Sequence, residues 1–224
     1  MATKNQTPAQ GEQVVSTVSS VETFFMNHKN VIEWGFIAVV VVVCACLAVN
    51  KWYLVPAKEE AKGQMFVAEQ QFRAGEWDKA LNGDGTNLGF NDVISTYGAK
   101  AGKSVYFYAG VCNLKLGNNE EAVKMLGKYN GKDNVLKAKA LCCTGDAWAN
   151  LGDLSKALSY YKKAVAVEDN MFVAGYLLKA GIVSEEMGNK EAALTYYKTI
   201  ETKYPQTLEG YDIAKYISRI ENAK

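Results

Sequence analysis

Histidine is almost missing: the one copy among 224 residues is His28, so nothing from Ala57 onward holds an imidazole. That excludes Ser-His and Cys-His nucleophile pairs, and any histidine metal ligand, from most of the chain. Arginine is nearly as scarce, with Arg73 and Arg219 alone, and the formal net charge is +1. Lysines alternate with acids instead, giving a solvated surface with no basic stripe to neutralise phosphates, so nucleic acid is not expected as a partner. The five cysteines are an odd number, and Cys142-Cys143 lacks the two-residue spacer of a redox pair or zinc knuckle. Cys112, Cys142 and Cys143 are expected to be buried packing, with a bridge from Cys112 to Cys142 or Cys143 left open. The carboxylate pairs Glu59-Glu60, Glu120-Glu121 and Glu185-Glu186 have no apolar setting that would raise a pKa. No enzyme signature emerges, and no cofactor, metal or small-molecule substrate is expected.

What the chain does have is one long apolar run. Between Gly35 and Val49 the only polar groups are the thiols of Cys44 and Cys46, and Trp34 and Trp52-Tyr53 bracket the run as interfacial aromatics. From Trp34 to Trp52, about 19 residues would reach roughly 28 Å as a helix, near the hydrocarbon thickness of a bilayer. A transmembrane helix is therefore expected over residues 31–54. A buried core helix fits the uncharged valine run poorly, and a cleavable signal peptide fits the preceding stretch of about 30 residues poorly. Val43-Cys44-Ala45-Cys46 is a weak approximation to a lipoprotein cleavage site.

Residues 1–30 form the expected amino-terminal region. Met1 to Gln13 is too polar to build a core, and Val14, Val18, Val21 and Phe25 then recur at helical spacing, as in an amphipathic helix lying on the membrane surface. A weakly ordered juxtamembrane segment is the alternative. Phe25, Trp34, Trp52 and Tyr53 are the expected membrane-interface residues. Val55-Pro56 is read as a stop, with Pro56 able to open the next helix.

The remainder is repetitive. Ala80, Ala122, Ala157 and Ala193 are separated by about 42, 35 and 36 residues, and each follows a glycine-polar turn: Gly75-Glu76, Gly117-Asn118, Gly152-Asp153 and Gly188-Asn189. Such a glycine suits the left-handed cap that ends a helix and reverses the chain. Leu126, Tyr161 and Tyr197 lie four residues beyond the last three alanines, and Ala109-Gly110, Thr144-Gly145 and Ala180-Gly181 lie about seven before the corresponding turns. Asn82 to Gly89 is a glycine-dense loop that does not match a calcium-binding pattern, since Asn87 and Val93 occupy the glycine and glutamate positions counted from Asn82. A short inserted helix is expected over Phe90 to Tyr97, and a terminal helix over Thr207 to Asn222 with Tyr211, Ala214, Ile217 and Ile220 facing inward.

On these residues, the region 57–224 resembles the tetratricopeptide repeat (TPR) family, with about four repeats and a degenerate first one. Together with the apolar run, the resemblance gives an all-α chain: a single transmembrane helix, then a TPR-like solenoid of helical hairpins with a carboxy-terminal capping helix. It also implies a concave partner groove lined by the first helices. The family's groove positions fall on Phe107, Val111, Leu114 and Lys115, on Lys139, Cys142, Asp146 and Asn150, and on Leu178, Ile182, Glu185 and Glu186. This set reads as mostly apolar, not cationic. It departs from the family's carboxylate-clamp pattern, with Phe107, Cys142 and Leu178 at the fifth position and Val111, Asp146 and Ile182 at the ninth. The groove is expected to take an extended or helical apolar segment of another protein, unless the chain's own terminal helix fills part of it.

The order of parts, with Val21-Glu22, Phe24-Phe25 and Asn27-His28-Lys29 before the span and repeats directly after Trp52-Tyr53, resembles the YfgM-type ancillary subunits of the bacterial SecYEG translocon. That resemblance implies a single-pass protein of the bacterial inner membrane with a cytoplasmic amino terminus and periplasmic repeats. Its partners would be translocon subunits, a membrane-anchored periplasmic chaperone and client chains. The charges argue the other way: within about 15 to 20 residues of the span, the amino side offers only Lys29, against Lys51, Lys58 and Lys62 on the other, which by the positive-inside rule puts the repeats in the cytoplasm. A scaffold of another envelope complex and a regulator sequestering a cytoplasmic signalling protein therefore stay open.

Overall fold

The computed structural model describes residues 26–222 and divides the chain into two units meeting at Pro56 and Ala57. Among the described residues there is no strand. The amphipathic helix expected over Val14 to Phe25, and with it the interfacial role of Phe25, lies outside them.

In the first unit, α1 (Lys29–Val49) buries none of its residues. A helix satisfies its backbone bonds internally, which is what a bilayer interior requires of a spanning segment. This one is long and apolar enough to cross a membrane. Trp34, Trp52 and Tyr53 are all exposed. The expected stop at Val55-Pro56 is not where helical structure ends. A π-helical turn, Asn50–Leu54, follows α1, the Val55 N–H bonds to the Asn50 carbonyl, and α2 (Val55–Arg73) takes in Pro56 in its first turn. A proline clashes with the carbonyl four residues back, and a widened turn immediately upstream is a setting that accommodates it.

The second unit stacks helical hairpins. The first pairs α2 with the short α3 (Trp77–Asn82). After α4 (Phe90–Tyr97) and a 3-10 turn (Gly98–Ala101) come α5 (Ser104–Lys115) with α6 (Asn119–Lys128), α7 (Asn134–Asn150) with α8 (Leu154–Val165), and α9 (Val173–Glu186) with α10 (Lys190–Lys203). The last helix is α11 (Leu208–Glu221).

The repeat turns share one geometry. Gly75, Gly117, Gly152 and Gly188 have φ of 79°, 82°, 81° and 80°. In each, the glycine N–H bonds three residues back and the next N–H bonds five back, as Gly152 to Ala149 (2.9 Å) and Asp153 to Trp148 (3.0 Å). This pairing satisfies the orphan carbonyls of the first helix. Asp153 and Asn189 then cap the second helix by accepting from the Lys156 and Ala192 N–H groups.

Ala80, Ala122, Ala157 and Ala193 are wholly buried where the helices of each hairpin cross. Gly110 and Gly145 let the second helix approach: a Cβ on either would lie 2.6 Å from Leu126 Cγ or Tyr161 Cε1. The inserted α4 explains the degenerate first repeat, because its fully buried Phe90 and Val93 fill the core that the six-residue α3 leaves short. Phe90 stacks on Tyr108 with ring centroids 5.3 Å apart. At the other end α11 covers the last hairpin with Ile213, Ile217 and Ile220. Tyr211 and Ala214 were expected to face inward but point to solvent; Ile213 and Tyr216 take their places on the packed face, each two positions further along the helix.

Candidate functional site

Two neighbouring cavities run along the first helices of the hairpins. One, of about 570 Å³, lies between α2 and α5 and is walled by Phe72 and Arg73 on one side and by Tyr108, Val111 and Lys115 on the other. The second, of about 470 Å³, lies between α7 and α9 and is closed by Thr207, Leu208 and Glu209 at the start of α11. Leu136, Lys139, Cys143, Asp146 and Lys179 line both.

Asp146 is the hub. Lys179 Nζ donates to its two oxygens at 2.7 and 2.6 Å, and the Tyr161 hydroxyl donates to Oδ1 at 2.8 Å. Burial lowers the affinity of Lys179 for its proton, but the Asp146 carboxylate bonded to it opposes this, and the ammonium is held above its ordinary pKa and stays charged. Burial, followed by the Asp146 charge, pushes the Tyr161 hydroxyl well above the usual tyrosine range. Burial likewise lifts the Cys142 thiol to about 12 and the Cys143 thiol to about 11, so both are protonated and poor nucleophiles at neutral pH. All five cysteines are free, and Cys112 sits in a different core cluster from Cys142, so the bridge left open above is not formed.

The structure gathers some of the sequence-predicted groove residues and separates others. Phe107, Val111, Leu114 and Lys115 line the first cavity, and Lys139 and Asp146 line both. Cys142 lines the second. Phe107 and Val111 are only 3% and 8% exposed, so they belong to the core as well. Asn150 turns away and donates to Asn119 Oδ1 at 3.0 Å. Leu178 packs beneath α11 with Val173 and Ile213. Ile182, Glu185 and Glu186 line a separate shallow depression with Arg219. There the chain's own terminal helix occupies Glu185, through Arg219 Nε at 3.1 Å and Nη2 at 2.7 Å.

Sequence reasoning missed Tyr108, Cys143 and Lys179. They are equivalent positions, one residue beyond Phe107, Cys142 and Leu178, and one step along a helix turns a side chain by about 100°. Lys179 alone announced itself, as the single charge in the apolar stretch from Val173 to Val183. Met171, Phe172 and Leu208, exposed at the mouth of the second cavity, carried no repeat signal because they lie in or next to the connections.

Residues 104–132 and 176–207 match the model of the tetratricopeptide repeat family. Among solved structures, the crystal structure of MamA protein superposes with a TM-score of 0.57 at 18% identity, covering 73% of this chain and 83% of that one. At such identity the likeness shows the fold. No curated protein sequence matches the chain. Residues 104–132 and 176–207 thus carry tetratricopeptide repeats within a helical solenoid, and repeats of this family serve as protein-interaction scaffolds.

Proposed function

We propose that this chain is a single-pass membrane subunit whose groove holds segments of other proteins beside the Sec translocon, with a membrane-anchored periplasmic chaperone as its neighbour. The observation that carries the reading is the coincidence, in one chain, of an apolar helix long enough to cross a bilayer and an open groove rimmed by exposed Met171, Phe172 and Leu208. Exposed large apolar side chains at a cavity mouth are the surface that a partner's side chains bury.

The mechanism is tethering. Anchoring the groove in the membrane raises its effective concentration at the channel exit, so weak contacts with emerging clients suffice and no nucleotide or metal takes part. The translocon assignment rests on the shared order of parts and on the segment Val21 to Tyr53. It places the amino terminus in the cytoplasm and the repeats in the periplasm of a bacterial inner membrane.

A second reading is favoured by the lysines. Lys51, Lys58 and Lys62 against Lys29 fit repeats in the cytoplasm, where the groove would sequester a signalling partner. Purification of the tagged full chain in mild detergent, compared with a version carrying an unrelated span, separates the readings. Enrichment of translocon subunits and periplasmic folding factors supports the first; a different stoichiometric envelope complex would make the chain that complex's scaffold; soluble cytoplasmic partners would support the second.

A further inference from the structure

Lys115 and Lys139 are exposed, line the groove, and have no carboxylate within ion-pair distance among the described residues. The other two cations there are matched: Lys179 by Asp146 at 2.6 Å and Arg73 by Glu69 at 3.7 Å. The first cavity therefore holds an uncompensated charge of two, set among Phe107, Tyr108, Val111 and Leu136. The second cavity is differently furnished. Its only unmatched charge among the described residues is Glu209, besides the shared Lys139, and its mouth is apolar through Val135, Met171, Phe172 and Leu208.

We infer that the groove selects a partner segment that is both acidic and apolar, with its carboxylates beside Lys115 and Lys139 and a large apolar side chain in the cavity between α7 and α9. This deepens the groove reading above and rests on it. Unmatched cations against low-dielectric walls attract carboxylates more strongly than the same lysines on an open surface. The apolar cavity supplies the affinity that screened charges cannot. Glu209 repels acidic side chains from the far end and so fixes the direction in which the segment lies. The charge corrects the expectation of a mostly apolar, non-cationic groove, because α7 brings Lys139 and α5 brings Lys115 to one cavity.

The test titrates the full-length chain in detergent micelles with short fluorescent peptides, read by anisotropy. One alternates glutamate with leucine and phenylalanine, a second replaces glutamate with lysine, and a third replaces the apolar residues with alanine. The wild type should bind the first about tenfold or more tightly than either other, with affinity falling as salt is raised. The double variant Lys115→Glu, Lys139→Glu should reverse the preference and bind the lysine peptide. Both substitutions are at exposed positions, so unchanged helicity is expected and checked by circular dichroism.

Equal affinity for acidic and basic peptides, or no change in the double variant, overturns the inference. If Phe172→Glu then still abolishes binding of both, the groove reading survives without the charge selectivity. Binding that Phe172→Glu leaves untouched, or no binding of any peptide, overturns the groove reading as well. A wild-type dimer that the double variant converts to monomer would assign the groove to a second copy and also overturn the inference.

Discussion

Asp146 and Lys179, on the first helices of adjacent repeats, meet in the groove with Nζ 2.6 Å from Oδ2. Their side chains are 25% and 42% exposed, so the pair stands between a surface ion pair, worth up to about 1 kcal/mol, and a buried one whose disruption costs about 3–5 kcal/mol. Asp146→Ala also strands the Tyr161 hydroxyl. We expect it to lower unfolding stability by about 1–2 kcal/mol in urea titrations, and to be less than additive with Lys179→Ala, with a coupling of about 1 kcal/mol. Full additivity would show that the two residues do not stabilise each other.

Two glycines predict opposite signs. Gly145 lies where a Cβ would be 2.6 Å from the Tyr161 ring, whereas Gly63, in the interior of α2, has open space around it. Gly145→Ala should destabilise by about 1–3 kcal/mol through overpacking. Gly63→Ala should stabilise by about 0.5–1 kcal/mol, because alanine loses less backbone entropy in a helix. Urea titrations followed by circular dichroism measure both, and a loss at Gly63 would contradict the open setting.

Most of the repeat architecture was legible in the residues. Alanine at the helix crossing and glycine at the turn are dictated by close approach and by a positive φ, constraints that act locally and recur once per repeat. The inserted α4 was legible for the same local reason, being bounded by Gly89 and Gly98. The groove was less so, because its lining depends on the rotation of each first helix. That rotation is fixed by packing between repeats, and it replaced Leu178 with Lys179 on the groove wall. Long-range partners such as Arg219 with Glu185, or Gln71 with Asp84, leave no trace in spacing.

Acid should weaken the loop after α3 through one carboxylate. Asp84 accepts from the Asn87 side chain and from the Thr86 and Asn87 N–H groups, and these bonds, the Asn87 side chain first, hold its carboxyl down at about 2 against an ordinary 3.8. A depressed folded pKa contributes stability that is present above 3.8 and is lost as the pH falls through about 2. Asp84→Asn should be less stable than wild type at neutral pH, and the difference should shrink across that window. Urea midpoints measured for both chains down the acid limb check this; a constant difference would mean that the carboxylate's charge is not what the loop uses.

The terminal helix should prove to be both a cap and a wall. Ile213, Ile217 and Ile220 are buried against Leu177, Tyr197 and Ile200, while Leu208 and Glu209 close the cavity between α7 and α9. Burying an isoleucine contributes about 1.5–3 kcal/mol, so ending the chain after Gln206 removes several kcal/mol, a large part of the roughly 5–15 kcal/mol that stabilises a domain. It also leaves the apolar face of the last hairpin uncovered, which in a repeat array leads to aggregation. Arg219→Ala is the gentler probe. It loses the bidentate contact to Glu185, whose remaining partner is the Tyr197 hydroxyl at 3.1 Å, and should cost about 1 kcal/mol with the cavity wall intact. Size-exclusion profiles and urea midpoints of the full chain distinguish the cases. A truncated chain that stays monomeric with an unchanged midpoint would show that α11 is not the cap.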